Sequence, residues 1–381
     1  MQIVRFKRLL HCAVACGVLM AFSILVCSPQ CVAWQEDPVV YDPNRCPSWS
    51  PDGTKIAFES LASGRNQIWV VKTDGSSLVQ LTNEPYGAGG PVWGRDGQHV
   101  YFIRWDDDHR TDIWRVSADG SNPERVTSTD YNEFSFAISP DGAKLVADTQ
   151  RGILIYSISG AADTYVAASG EDADPDWAPD GTKVVFIRKG NVWKRNVDLT
   201  GLTQLTDAEC SDETPHWSPS GTPIVFSSDR LPPRKLWRVA PDGTGLQRVM
   251  SDANEPDTVA DLYPAWSPDG SRIAFARDDG ESCDIWVVNA DGTGLSRLTC
   301  QVATPTFDPD GGTYTGSQSV TVACATPGAT IRYTTDGTVP TESSPAYTEP
   351  VTIESSLTLK ARAWKAGWFP SHTKSAEYVI E

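Results

Sequence analysis

Side chains able to do chemistry are plentiful in this chain, but their spacing does not gather them into a catalytic set. Beyond residue 33 the histidines are His99, His109, His216 and His372, and each stands apart from any Ser or Cys placed as a nucleophile. His216 sits inside a Pro-His-Trp strand motif, where packing accounts for it. A serine hydrolase needs a G-x-S-x-G elbow with a downstream histidine, and the sequence contains no such elbow. Glycosidase chemistry needs two carboxylates at a set separation, and the acids here are too many for sequence to single out a pair. Asp106-Asp107-Asp108 and Asp308-Pro309-Asp310-Gly311 concentrate oxygen donors without the ligand spacing of a calcium loop. The cysteine spacings do not form a zinc site. These residues predict a chain without enzymatic activity, cofactor or metal.

What remains is recognition, and charge constrains it. Net charge is −17, and the first residues contribute three basic groups, so the rest of the chain is still more acidic. Many of the acids are turn formers, Asp52, Asp141, Asp180, Asp269 and Asp291 among them. Others crowd particular loops: Asp106-Asp107-Asp108, Glu171-Asp172, Asp212-Glu213, Glu255, Asp257, Asp261 and Asp278-Asp279. Such a field repels nucleic acid and anionic membrane and favours a basic protein or peptide partner.

The elements that position these loops come from an internal repeat. Six copies read PSWSPDGTKIAF, PVWGRDGQHVYF, FAISPDGAKLVA, PDWAPDGTKVVF, PHWSPSGTPIVF and PAWSPDGSRIAF, anchored at Trp49, Trp93, Ile138, Trp177, Trp217 and Trp266. In each, a Pro-Asp-Gly type turn reverses the chain between two short apolar runs. A β-branched, Trp-centred run follows, such as Ile68-Trp69-Val70-Val71, then an Asp-Gly turn and a closing Leu81-Thr82. Trp49 to Thr82 and Trp266 to Thr299 both span 33 positions, so length varies only in the connections. Four strands per unit at this period predict an all-β, six-bladed propeller. In such blades the Asp-Gly turns share one end, and the variable connections share the other. The binding surface is expected there, with Asp106, Asp107, Asp108, His109, Arg230, Asp257 and Asp278 as its residues.

The amino terminus places basic Arg5, Lys7 and Arg8 before an apolar run, Leu9 to Val26, and Cys31-Val32-Ala33. This is the pattern of a secretory signal over residues 1–33, with an uncleaved anchor as the alternative. Export makes disulfides permissible, and five of the nine cysteines lie beyond it. Cys283 opens one strand of the last repeat and Cys300 follows the next, so folding about Asp291-Gly292 predicts a bridge between them.

After residue 300 the composition turns to Thr, Pro, Gly, Ser and Val, with alternating runs Ser319–Val322, Thr330–Thr334, Leu357–Ala363 and Ala376–Ile380 between glycine and proline turns. This predicts a small immunoglobulin-like β-sandwich over residues 301–381, after a propeller over residues 34–300.

The P-x-W-S-P-D-G turn, the downstream I-W-V and the D-G-x-x-x-x-L-T ending resemble the TolB-type repeat, although copy three lacks the aromatic and the Leu-Thr. That resemblance implies an exported propeller that binds proteins in the cell envelope. No TolB-like amino-terminal α/β domain is recognisable. The tail is similar to the carboxy-terminal domain of chitobiases and β-hexosaminidases, through FDPDGGTYTGSQSVTV, PGATIRYTTDGTVPT and LTLKARAWKAGW. That family is an accessory module, not the hydrolase. Its resemblance supports an alternative in which Trp364 and Trp368, with Phe369, stack on a polysaccharide. The chain reads as a secreted or periplasmic, monomeric binding scaffold.

Overall fold

The computed structural model describes residues 44–158, 164–167, 172–207, 209–251, 258–280 and 282–381. The expected leader and the loop acids Glu171, Glu255 and Asp257 lie outside these residues. Among the described residues every regular element is a strand.

The Pro-Asp-Gly turn builds each unit. In the first copy the Ser50 N–H donates to the Lys55 carbonyl at 2.9 Å and the Gly53 N–H to the Ser50 carbonyl at 2.8 Å. Asp52 Oδ1 accepts from the Ser50 hydroxyl at 2.6 Å and from the Thr54 N–H at 3.0 Å. The same carboxylate-to-backbone bond recurs at Asp141, Asp180 and Asp269. Donors of this kind, the Ser267 hydroxyl foremost, hold the Asp269 carboxyl down at about 2. The turn aspartates are thus structural.

Because every turn closes alike, the register repeats: Trp49 faces Ile56, Trp93 Val100, Ile138 Leu145, Trp177 Val184, Trp217 Ile224 and Trp266 Ile273. Blade 1 has strands A (Arg45–Trp49), B (Lys55–Ser60), C (Gln67–Lys72) and D (Val79–Gln80). Five more four-stranded antiparallel sheets follow in the same order, their A strands being Ala88–Trp93, Glu133–Ile138, Asp172–Trp177, Asp212–Trp217 and Ala260–Trp266. The closing threonine has a defined task. The hydroxyls of Thr82, Thr127, Thr206 and Thr299 each accept the N–H of a strand C residue at 2.9 Å.

Blades pack face to face through six apolar cores, one at each border, including the border between blades 6 and 1. Phe58, Phe102, Phe186, Phe226 and Phe275 are fully buried in them. Burial of each stabilises by roughly 1.5–3 kcal/mol. The A–B turns also form a closed ring. A Cβ at Gly97 would lie 3.9 Å from Pro51 of the preceding blade, one at Gly181 3.8 Å from Pro140, and one at Gly53 4.0 Å from Pro268. That last contact joins first blade to last.

Two further sheets make the sandwich: Thr306–Asp308, Gln318–Ala323 and Val351–Ile353 in one, and Gly312–Tyr314, Lys374–Ile380, Leu357–Trp364 and Thr330–Thr334 in the other. Phe307, Val320, Val322, Ile353, Leu359 and Tyr378 fill the space between them. The architecture is a six-bladed propeller followed by an immunoglobulin-like sandwich. Phe369 leaves the sandwich and is buried in the core between blades 6 and 1.

Candidate binding face

The A–B and C–D turns lie at one end of the propeller, and the B–C and D–A connections at the other. Strand A enters from this second, loop end, and its first residues carry a recurrent device. Five residues before the anchor stand Glu133, Asp172, Asp212 and Asp261 in blades 3 to 6, all buried. Arg188 meets Asp172 through Nε at 2.6 Å and Nη2 at 2.8 Å. Arg277 meets Asp261 in the same way, at 2.6 and 2.9 Å. Arg230 reaches both oxygens of Asp212 with Nη2, at 2.8 and 2.9 Å. Each guanidinium also lies over two rings of its own blade: Phe186 and Trp193, Phe226 and Trp237, or Phe275 and Trp286. Acids that the sequence reading assigned to a negative field are therefore paired internally. Sequence carries a trace of this in Phe-x-Arg, two residues beyond the strand B phenylalanine, at Arg104, Arg188 and Arg277.

Blade 3 breaks the pattern. Opposite Glu133 stands Thr149 rather than arginine. Arg151 corresponds to Arg230, since its N–H donates to the Thr149 hydroxyl as that of Arg230 does to Ser228, but its guanidinium lies 4.6 Å from the Tyr131 ring centre. Glu133 Oε1 accepts from the Thr129 hydroxyl at 2.9 Å, and Oε2 is buried without a partner. Burial, reinforced by Asp112, pushes this carboxyl up to about 7.

Just beyond the acids, strand A bulges in blades 1, 2, 4, 5 and 6. The third residue before the anchor then has positive φ: Cys46, Gly90, Asp174, Thr214 and Tyr263, at 49 to 57°. Next to the anchor, a side chain of one blade receives the anchor's N–H from the following blade. Ser48 Oγ takes that of Trp93 at 3.0 Å, Asp176 Oδ2 that of Trp217 at 2.8 Å, and His216 Nδ1 that of Trp266 at 3.3 Å. His216 therefore interlocks blades.

The predicted site residues fall as follows. Asp106 folds the B–C loop of blade 2 on itself, its Oδ1 accepting from the N–H groups of Asp108 at 3.0 Å and Arg110 at 2.7 Å. Asp107, Asp108 and His109 are exposed at the tip, His109 with φ 59°. Arg230 is engaged by Asp212. Asp278 is half-buried and caps the Gly280 N–H at 2.8 Å; burial raises its carboxyl. Asp257 is outside the described residues. These groups do not converge, and among the described residues no cluster of three or more His, Cys, Asp or Glu could hold a metal ion. In the sandwich Trp364 and Trp368 are half-buried, with Arg362 5.6 Å and Lys365 4.3 Å from their ring centres.

The expected Cys283–Cys300 bridge is not formed. The Cys283 thiol turns to the Asn44 carbonyl at 3.4 Å, while the Cys300 backbone has left strand D to accept the Phe369 N–H at 2.9 Å. Burial raises the Cys300 thiol.

Comparison with known proteins agrees with this geometry. Residues 40–197 match the TolB beta propeller domain, and residues 309–375 the chitobiase/beta-hexosaminidase C-terminal domain. Relatives include "Uncharacterized peptidase YuxL" of Bacillus subtilis, 28% identical over 144 residues, or 37% of this chain and 21% of that one. Another is "Tol-Pal system protein TolB" of Anaeromyxobacter dehalogenans, 34% identical over 82 residues, or 22% of this chain and 18% of the relative. The chain thus spans about a fifth of the length of either. Among solved structures the tricorn protease shares the fold, with TM-score 0.52 and 13% identity over 89% of this chain and 35% of that one. The expectation of a chain without enzymatic activity is corrected by the first of these relatives, because the same repeats occur in a protein named a peptidase. A missing nucleophile motif in the propeller describes only that module. The chain combines a TolB-like β-propeller with a carboxy-terminal domain resembling that of chitobiases and β-hexosaminidases.

Proposed function

We propose that the chain is an exported, secreted or periplasmic scaffold of the cell envelope whose propeller seats a protein or peptide segment on its loop end. The observation that carries this is the contrast between a locked frame and open loops. The buried acid–arginine pairs and interblade bonds fix the strand ends, while the same end of the propeller exposes Tyr86 and Leu231 in loops and Phe134 near the start of a strand A, at 52, 47 and 43%, together with the acids Asp107, Asp108 and Asp279. Exposed aromatic and aliphatic groups among acids suit a partner with apolar and basic side chains. A rigid frame loses little entropy on binding. The resemblance to TolB supports a protein partner. Polysaccharide stacking on Trp364 and Trp368 is the less favoured reading, because each ring already carries a basic side chain.

The test is cross-linking of the purified chain to envelope proteins, with Tyr86→Ala, Phe134→Ala and Leu231→Ala compared at equal fold stability. Loss of one cross-linked species with these variants supports the reading. Cross-linking indifferent to all three, together with glycan binding abolished by Trp364→Ala and Trp368→Ala, refutes it.

A further inference from the structure

We infer that the carboxy-terminal sandwich is the clasp that keeps the propeller ring shut. Blades 1 and 6 pack face to face like the other pairs, and among the described residues neither borrows a strand from the other end of the chain: blade 1 is built from residues 45–80 and blade 6 from 260–297. Direct bonds also cross this seam, among them the Cys283 thiol to the Asn44 carbonyl at 3.4 Å, and the Arg272 guanidinium lies 4.9 Å from the Trp49 ring centre. The Asn44 N–H donates to the Cys283 carbonyl at 3.0 Å, Asn44 Nδ2 reaches Asp284 and Thr299 at 3.4 Å each, and Trp49 Nε1 donates to the Ala265 carbonyl at 3.1 Å.

Blade 1 also departs from its siblings at this border. Asn44 holds the place of Asp172, Asp212 and Asp261, and Ser60 that of Arg188 and Arg277. Among the described residues no guanidinium of the blade lies over Phe58 and Trp69, the counterparts of Phe186 and Trp193 in blade 4. The Phe369 ring stands there instead, edge-on to Phe58 at 6.0 Å and to Trp69 at 5.1 Å between centres. It is 2% exposed and also touches the blade 6 side of the same core, which includes Cys283, Ile285 and Leu298.

The wedge is tied at its root. The Phe369 N–H donates to the Cys300 carbonyl at 2.9 Å, and the Val302 N–H to the Phe369 carbonyl at 3.0 Å, so the segment leaving blade 6 holds the wedge by its backbone. Gly367 lies beside the strand C–D turn of blade 1, where a Cβ would come 3.6 Å from the Gly75 carbonyl. One short stretch of the sandwich therefore grips both sides of the seam. An arginine at position 60, as in blades 4 and 6, would occupy the volume the wedge takes.

Hydrogen–deuterium exchange on the full chain tests this with Phe369→Ala and Phe369→Leu. The alanine variant should speed exchange roughly tenfold or more in peptides covering residues 44–49 and 283–289, with leucine intermediate. Peptides over residues 172–177 and 212–217, and the sandwich strand 318–323, should keep the parent's rates. Acceleration confined to residues 365–372, or equal in all six blades, overturns the inference. Should the alanine variant not fold, the leucine variant decides on the same peptides.

Discussion

Replacing Glu133 by glutamine should remove a penalty that grows with pH. The side chain is fully buried, one oxygen accepts from the Thr129 hydroxyl, the other has no partner among the described residues, and the Asp112 carboxylate lies nearby, itself bonded to Arg125. Its carboxyl therefore titrates near 7 in the folded chain, against an ordinary value of 4.5. The sign follows from proton counting. Below pH 4.5 both folded and unfolded forms hold the proton, and the group costs nothing. Between 4.5 and 7 the folded form keeps a proton that the unfolded form releases, so stability falls as pH rises. Above 7 the loss is complete, at about 3 kcal/mol for a shift of this size. Glutamine keeps the shape and the bond from Thr129 without the charge. Urea unfolding of parent and Glu133→Gln at pH 5, 6, 7 and 8 should show a difference in favour of the variant that widens by about 2.5 kcal/mol across the series and levels off at the top. Other titrating groups are common to both proteins and cancel in the difference. A difference constant from pH 5 to 8 would refute the reasoning, because it would mean the carboxyl ionises folded as it does unfolded.

Three further outcomes are expected. Asp212→Ala should cost about 3–5 kcal/mol in urea unfolding, since it strands the Arg230 guanidinium and frees the Thr206 hydroxyl, while Asp212→Leu with Arg230→Met should cost less than the single change. His216→Ala removes the acceptor for a buried Trp266 N–H and should destabilise by about 1–3 kcal/mol. His216→Asp, which copies Asp176 in the preceding blade, should restore most of that in the same assay. Alkylation of the unfolded, unreduced protein should label both Cys283 and Cys300, and a linked peptide pair in the mass spectrum would contradict the absence of a bridge.

The blades were legible because their punctuation is local. A turn whose aspartate bonds its own backbone can be read from four letters, and the anchor needs only to be large and apolar, which is why Ile138 serves where five copies have tryptophan. Pairings across a strand were harder. Asp172 and Arg188 are 16 residues apart and meet only because the A–B hairpin and its bulge set their register, so from sequence the acids looked like uncompensated charge. The same holds for Cys300. Its position opposite Cys283 was read from hairpin symmetry, but the chain departs toward Phe369 one residue too soon for the thiols to meet. Phe369 was read with Trp364 and Trp368 as a sugar-stacking aromatic, and it is instead buried between blades 6 and 1. Composition marks the tail as a separate β-rich module and carries no information on which surface of the first module it would enter.

The ring of A–B turns has a consequence for how such a chain diversifies. Five of the six turns present a proline to their successor, blade 2 presenting Arg95 in its place, and each presents a glycine to its predecessor, so with respect to this pole the units are close to interchangeable parts. A copied unit would meet the same neighbours wherever it was inserted, and its connections would arrive together at the opposite pole. Novelty is thereby channelled to one side of the molecule, while the other stays a common mounting plate.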